Sequence, residues 1–214
     1  VMRLNEDGTI GEMTDEIFHK GLGSVAERNF RPHVNCVNIT PDQKYLCAVD
    51  LGVDQVKIYK FNYETGKITL MDMLRCEQES APRIIKFSPD GRFAYLICEL
   101  KNYISVYSYK DGPRGPIFEL VQTISTLNDY HSKGSAACVL RFSRDWNYVL
   151  CSNAGDNSIG IFKVDHETGM LEKICILPIS GDYPKAADFF PDNRHIMSLN
   201  HETNTMTIFK INYE

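Results

Sequence analysis

Three residues of types that can act together in catalysis, a glutamate, an arginine and a histidine, occur beside predicted strands of the chain's repeats. Glu99 follows Ile97-Cys98, Arg83 follows Ala81-Pro82, and His33 follows Pro32. A carboxylate can take a proton from water, and an imidazole can donate to a developing oxyanion. A guanidinium offers a planar pair of donors to a phosphate or carboxylate. The histidine could equally be an ordinary loop residue, and Arg83 and Glu99 could form a structural ion pair. A catalytic and a structural interpretation both stay open at this point.

The elements that must position these residues come from a phrase that recurs four times. Its copies occupy residues 37–46, 85–95, 140–149 and 189–196. Pro41 matches Pro89, Arg144 and Pro191, in steps of 48, 55 and 47 residues. A period of this length, with several short strands per unit, is typical of a β-propeller. We therefore predict an all-β propeller of about four to five blades.

The second repeat shows how one blade is built. Residues 84–88 alternate as a strand, Ser88-Pro89-Asp90-Gly91 forms a turn, and 93–98 is an apolar strand. Strands at 103–109 and 118–124 complete a four-stranded antiparallel unit. We predict one domain over 1–214, with repeats at 36–82, 83–137, 138–184 and 185–214 and a partial blade at 1–32.

In a propeller the innermost strands and the loops between blades face the central channel. Arg83 is predicted to occupy in the second repeat the place that His33 occupies in the first, and Glu99 to follow the second strand. All three side chains are then expected at one mouth of the channel.

The two ends of the chain allow two arrangements. Residues 206–214 resemble a third strand, and residues 1–13 resemble a third strand, a turn and a fourth strand. Residues 9–18 could pair with 206–210 and close a ring of four blades. Alternatively, the chain is part of a larger ring, and its open edge and apolar face favour self-association with a second copy.

Composition excludes several classes of function. The 214 residues are 43% hydrophobic and carry a net charge of −5, with no basic cluster, which argues against nucleic acid as a partner. No apolar run approaches the roughly 20 residues that span a bilayer. Seven cysteines without a CxxC pair indicate a reducing compartment, so we expect a cytoplasmic protein.

Metal and cofactor signatures are missing from the sequence. The histidines show no metal-ligand spacing, and no Gly-rich phosphate loop appears, so we expect no metal and no cofactor. Asp50 and Asp54 flank Leu51-Gly52-Val53 and suit turn capping better than cation binding. Asp50 is also a candidate for binding substrate.

Three segments carry a family resemblance: residues 33–42 (HVNCVNITPD), Ala81-Pro82-Arg83 and Cys98-Glu99-Leu100. In these the chain resembles the seven-bladed lactonase family, which includes bacterial 6-phosphogluconolactonases and fungal carboxy-muconate cyclising enzymes. The resemblance covers essentially all 214 residues and corresponds to the C-terminal four to five blades of that family. It implies four-stranded blades of a seven-bladed type. It also implies that His33, Arg83 and Glu99 form the catalytic group.

The resemblance assigns roles within that group. Glu99 would activate water for attack on a ring lactone, His33 would stabilise the oxyanion, and Arg83 would hold a phosphate or carboxylate of the substrate. The implied partner is a small-molecule lactone or phosphorylated sugar. We therefore expect a 6-phosphogluconolactonase-like hydrolase of a sugar lactone.

Four positions depart from the family's usual residues. Asn35 replaces a second histidine, Cys138 an acidic residue, Ala154 an arginine, and Lys185 an arginine after proline. Asn35 and Lys185 remain candidates for binding substrate. The losses favour an alternative, a propeller that has lost catalysis and serves as a binding or interaction scaffold. A third expectation is a lactone-forming or ring-opening enzyme with a different carboxylated substrate.

Overall fold

The structure, a computed structural model, describes residues 1–23, 30–128 and 134–212. These residues contain seventeen strands and a single turn of 3-10 helix at Leu51–Val53. The first two strands form a hairpin: β1 (Met2–Leu4) and β2 (Ile10–Met13). The first full blade comprises β3 (Val34–Ile39), β4 (Tyr45–Asp50), β5 (Gln55–Asn62) and β6 (Lys67–Arg75).

The remaining strands form three further sheets. The second blade comprises β7 (Pro82–Phe87), β8 (Phe93–Cys98), β9 (Tyr103–Gly112) and β10 (Gly115–Ser125). The third comprises β11 (Ala137–Phe142), β12 (Tyr148–Asn153), β13 (Ser158–Val164) and β14 (Leu171–Pro178). A three-stranded fourth blade comprises β15 (Pro184–Phe189), β16 (His195–Asn200) and β17 (Thr205–Lys210).

Each blade is an antiparallel meander whose strands pair in chain order. The first strands of successive blades, β3, β7, β11 and β15, contact one another and therefore line the centre of the assembly. This arrangement confirms the predicted all-β propeller. No helix of the described residues has the length and apolar character needed to cross a bilayer.

Apolar side chains between neighbouring blades form the core. One cluster joins the first and second blades through Val49, Ile58, Ile85 and Leu96. The next joins the second and third blades through Tyr95, Ile97, Leu140 and Phe162. Because blades cover both of its faces, β8 is buried at every position, which explains the unbroken apolar run of that strand.

The two ends of the chain do not form the predicted small ring. In the described residues, β2 pairs with β1, and β17 pairs with β16. The predicted pairing of residues 9–18 with 206–210 is therefore wrong. The apolar side chains of Leu4 and Met206 remain exposed at the two ends. Self-association through these ends stays a prediction.

The turns that join the first two strands of each blade are fixed by carboxylates. The Ser88 hydroxyl donates to Asp90 Oδ1 at 2.6 Å, and the Ser143 hydroxyl donates to Asp145 Oδ1 at 2.6 Å. Burial alone would raise the pKa of Asp90, but hydrogen bonds from Ser88 and Arg92 outweigh it and lower this pKa to about 2. The pKa of Asp145 is also lowered, since bonds from Ser143 and Asn147 outweigh burial.

We expect these turns to make the fold sensitive to acid. An unfolded Asp titrates near pH 3.9, roughly, so a lower pKa in the fold means that the ionised form stabilises the fold above about pH 4. This contribution is lost as the pH falls towards 2. The free energy of unfolding of Asp90→Asn, measured with urea, should decline less than that of the unchanged protein between pH 5 and 2.5. Parallel declines would contradict this prediction.

Candidate functional site

Each inner strand carries one β-bulge at the same place near its start. In the pairs β3–β4, β7–β8, β11–β12 and β15–β16, the register skips one residue of the inner strand. The skipped residues, here called the bulge positions, are Asn35, Arg83, Cys138 and Lys185. A bulge leaves its extra residue unpaired and re-aims the side chain, and bulges are frequent beside active sites.

A second equivalent set lies at the end of each second strand. The backbone N–H of each of these residues donates to the carbonyl of the residue that precedes the facing inner strand, at 2.8–3.0 Å. These strand-end positions are Leu51, Glu99, Ala154 and His201. The ladder therefore corrects one prediction. Arg83 is equivalent to Asn35, whereas His33 is equivalent to Ala81.

The second blade brings Arg83 and Glu99 together. Nη1 of Arg83 donates to Oε2 of Glu99, and Nε donates to the Cys138 carbonyl at 2.8 Å. The side chains are 26% and 3% exposed, respectively. The Asn35 amide donates to the Arg83 carbonyl at 3.1 Å. Two separate bonds thus fix the guanidinium, and its Nη2 makes no hydrogen bond to the described residues, so it can serve an anionic ligand.

Asp54 holds the turn that leads into Arg83. It adopts a left-handed backbone conformation, with φ at 53°, and is buried. Its carboxylate accepts the N–H groups of Glu79 at 2.9 Å and Ala81 at 2.8 Å. Ala81 itself has φ at 53°, a strained region for a residue with a Cβ. These bonds stabilise the strained turn and so fix the start of β7.

The structure gives Asp50 a turn-capping role and corrects the predicted contact with substrate. Its side chain is fully buried, and Oδ1 accepts the N–H groups of His33 at 2.7 Å and Gly52 at 3.1 Å. Oδ2 lies 2.6 Å from Nδ1 of His19. These partners leave the carboxylate inaccessible to a ligand. The His33 side chain is exposed and makes no hydrogen bond to the described residues.

His19 links the segment after β2 to the first full blade. Its ring is buried, with Nδ1 facing Asp50 and Nε2 at 2.9 Å from the Tyr59 hydroxyl. Sequence analysis missed this contact because nothing in the spacing of His19 marks it as a partner of residues 31 and 40 positions away.

The third blade presents an apolar surface in place of charged groups. Ala136, Cys138 and Ala154 are buried together, and Tyr183 of the fourth blade packs against them. At this point the equivalents of Arg83 and Glu99 are therefore a thiol and a methyl group. The Cys138 thiol donates to the Ala136 carbonyl at 3.4 Å.

Polar groups return in the fourth blade. The rings of Tyr183 and His201 lie 6.2 Å apart in an edge-on arrangement, and Lys185 Nζ lies 5.4 Å from the Tyr183 ring centroid. Lys185 is thus placed beside Tyr183 and His201. His201 was among the histidines whose spacing does not suit a metal ion, and neither it nor Tyr183 was predicted to belong to the site. Counting from the end of β16 would have shown that His201 corresponds to Glu99.

Possible metal ligands and free thiols are scattered over the described residues. No three or more His, Cys, Asp or Glu side chains are grouped there to hold a metal ion. All seven cysteines are free thiols. Burial raises the pKa of both Cys98 and Cys151 to about 12, so these thiols stay protonated at neutral pH.

Comparison with known proteins places this geometry in a family. The chain matches the family described as lactonase, 7-bladed beta-propeller, over residues 1–214. A 6-phosphogluconolactonase of Bacillus subtilis is 29% identical over 210 residues, covering 98% of this chain and 59% of that protein. An uncharacterised protein of Lactococcus lactis is 34% identical over 210 residues, covering 98% and 60%, respectively.

A solved structure agrees with these relatives. The periplasmic gluconolactonase of Pseudomonas aeruginosa superposes with a TM-score of 0.90 at 27% identity, covering 99% of this chain and 58% of that one. The chain spans about three fifths of the length of the relatives it matches. The family match extends over every blade that carries a bulge position. The chain therefore belongs to the lactonase family of seven-bladed β-propellers.

Proposed function

We propose that the protein hydrolyses a sugar lactone at the Arg83–Glu99 site, in the manner of a 6-phosphogluconolactonase. The observation that carries the proposal is the buried Glu99 carboxylate bound to a fixed and partly exposed guanidinium. A base and an anion-binding group are thereby held side by side on adjoining strands at the centre of the propeller. Similarity to the Bacillus subtilis enzyme supports the same reaction class.

The reaction can be written with these residues. Water adds to the ring carbonyl while Glu99 accepts its proton, which gives a tetrahedral oxyanion. The outer nitrogen of Arg83 and the imidazole of His33 stabilise the negative charge. The ring C–O bond then breaks, and the proton held by Glu99 passes to the departing ring oxygen. The products are the open-chain carboxylic acid, which ionises in water, and a hydroxyl group.

Lys185 is the proposed binding group for a phosphate on the substrate. It is exposed and lies against the Tyr183 ring, whose face can pack on a sugar. The apolar surface of Ala136, Cys138 and Ala154 connects this ring to the backbone carbonyl of Cys138, which accepts a hydrogen bond from Arg83. We infer that the substrate lies along this surface, with its carbonyl at Glu99 and its phosphate at Lys185.

Lys185→Ala should therefore affect phosphorylated and plain lactones differently. We expect KM for 6-phosphoglucono-δ-lactone to rise at least tenfold, because one phosphate contact is lost, while KM for glucono-δ-lactone changes little. Initial rates of proton release measure both constants. Lys163→Ala, an exposed lysine on β13, is the matched control. Equal changes for the two lactones would contradict the assignment of Lys185.

A catalytically inactive binding scaffold is the second candidate. Cys138 and Ala154 favour it, because they bury apolar groups at one bulge position and one strand-end position. A carboxylated lactone is the third possible substrate class. The deciding experiment measures hydrolysis of phosphorylated, plain and carboxylated lactones above the spontaneous rate. The proposal is supported if the phosphorylated lactone is hydrolysed faster than the other two, whereas saturable binding without hydrolysis supports the scaffold.

We also propose a cytoplasmic location. It is supported by seven free thiols, since unpaired cysteines are typical of proteins kept in a reducing compartment. Fractionation of the source cells tests it, and recovery of the protein outside the cytoplasm would contradict it.

A further inference from the structure

A separate pocket lies between the second and third blades, at the end opposite to Arg83. It is formed by the turns that follow β7 and β11, together with side chains of β8 and β13. The six-residue strand β7 separates it from the Arg83–Glu99 site, a distance of roughly 17–20 Å at about 3.3 Å per residue. Its volume is about 210 Å³. A cavity of roughly 150 Å³ is enough for benzene, so this pocket has room for one ring with a short tail.

One wall of the pocket is a strained tryptophan. Trp146 has φ at 61°, and the equivalent turn residues in the other blades are Gln43, Gly91 and Asn193. A bulky residue in the left-handed region is a true outlier, and such strain tends to persist where it has a function. The Trp146 ring stacks on Phe142, with centroids 4.3 Å apart and planes at 30°. Backbone strain thus accompanies an aromatic wall in this one turn.

An unpartnered hydroxyl lies in the same pocket. Tyr95 lines it and is only 1% exposed, and its hydroxyl has no hydrogen-bond partner among the described residues. Burial raises the pKa of Tyr95 well above its ordinary value, so the hydroxyl keeps its proton. A buried polar group without a partner costs free energy, which a ligand in hydrogen-bond reach would recover.

The rim of the pocket carries an uncompensated negative charge. In the part of the chain that the structure describes, Asp145 accepts bonds only from neutral partners, the Ser143 hydroxyl and the Asn147 backbone and side chain, at 2.6–3.2 Å. The other carboxylate, Asp90, is already paired with Arg92 at 2.6 Å. The charge on Asp145 therefore remains available to a ligand.

The pocket's aromatic rings suit a cation as well. The Arg92 guanidinium lies 5.1 Å from the centroid of Phe93, so this lining ring already contacts a cation of the protein, and the rings of Phe142 and Trp146 are the ones left for a ligand. Ring faces attract cations electrostatically, more strongly where water is excluded. His166, also at the rim, has its Nε2 at 2.9 Å from Asn147 Oδ1.

We propose that this pocket binds a small organic cation, a primary ammonium on a hydrocarbon or aromatic body. The body packs against Phe142 and Trp146. The ammonium donates a hydrogen bond to the Tyr95 hydroxyl oxygen and is attracted by the Asp145 carboxylate. This site is distinct from the proposed lactone site, and neither depends on the other.

Three probes of matched shape test the proposal: 2-phenylethylammonium, the neutral 2-phenylethanol and the anionic phenylacetate. We expect saturable binding of the ammonium by calorimetry, together with a change in the fluorescence of Trp146, the only tryptophan of the chain. The alcohol should bind at least tenfold more weakly, and phenylacetate more weakly still. Tyr95→Phe, Asp145→Asn and Trp146→Asn should each weaken the ammonium at least fivefold.

Gln43→Gly changes an exposed side chain at the equivalent turn of the first blade and is the matched control, which should leave binding unchanged. Absence of saturable binding would overturn the proposal and leave water as the partner of Tyr95. Equal affinity for the three probes would overturn the assignment of a cation. Unchanged affinity in both Tyr95→Phe and Trp146→Asn would also overturn it, by placing the ligand elsewhere. Should Trp146→Asn not fold, Tyr95→Phe, which removes one oxygen atom, still decides.

Discussion

Glu99→Gln is expected to lower kcat for lactone hydrolysis by roughly 10²- to 10⁴-fold, the usual contribution of a positioned general base. The amide has nearly the same shape as the carboxylate and can still accept a hydrogen bond from Arg83, but it cannot take a proton from water. KM should therefore change much less than kcat. Initial rates with 6-phosphoglucono-δ-lactone, corrected for spontaneous hydrolysis, give both constants.

Glu119→Gln is the matched control, because Glu119 lies on β10 of the same blade with its side chain largely in solvent. Its kinetics should equal those of the unchanged protein. If Glu99→Gln retained most of its activity, Glu99 would not be the base, and the reaction would have to depend on another group. If the unchanged protein showed no activity although folded, the scaffold would be the better account of the chain.

Asp50→Ala is expected to lower the free energy of unfolding by about 3–5 kcal/mol, a large effect for one substitution. The carboxylate accepts the backbone N–H groups of His33 and Gly52 and faces the His19 ring. Its removal leaves these buried groups unsatisfied, at about 1–3 kcal/mol each before the structure relaxes. Urea denaturation followed by circular dichroism measures the loss.

Asp188→Ala supplies the comparison for the same chemical change in an exposed carboxylate. Asp188 pairs with Arg141 at 3.1 Å on the surface, and such pairs contribute about 0–1 kcal/mol. A loss below about 1 kcal/mol in Asp50→Ala as well would show that water replaces the carboxylate without cost. The capping role of Asp50 would then be wrong, because backbone N–H groups that stay buried without an acceptor must lower the free energy of unfolding.

The fold could be predicted because its signals are local and repeated. A turn that contains Asp, preceded by Pro in three of its four copies, recurs between two short strands every 47–55 residues, and each copy indicates its own blade. The apolar run of β8 similarly reflects burial on both faces, which needs no knowledge of distant partners.

The site could be predicted only in part because a neighbouring proline is a weak guide to the place of a residue in its blade. Matching the proline before each residue placed Arg83 opposite His33, but the 48-residue step from Pro41 to Pro89 and the ladder both align Arg83 with Asn35. The alternation of apolar and polar residues does not reveal a bulge, where two residues of one strand lie opposite one residue of the neighbouring strand. The His19–Asp50 contact escaped prediction for a different reason, since it joins the segment after β2 to a blade through side chains alone.

The bulge positions let the chemistry of the propeller change without a change of fold. A bulge residue takes no part in the strand ladder, so replacing it does not shift the pairing of the strands. Selection can therefore change its side chain with little cost to folding. The four residues found there, Asn35, Arg83, Cys138 and Lys185, already differ in charge and reactivity on one shared backbone geometry. Related propellers can thus acquire new specificities through single substitutions, one blade at a time, while the architecture is inherited intact.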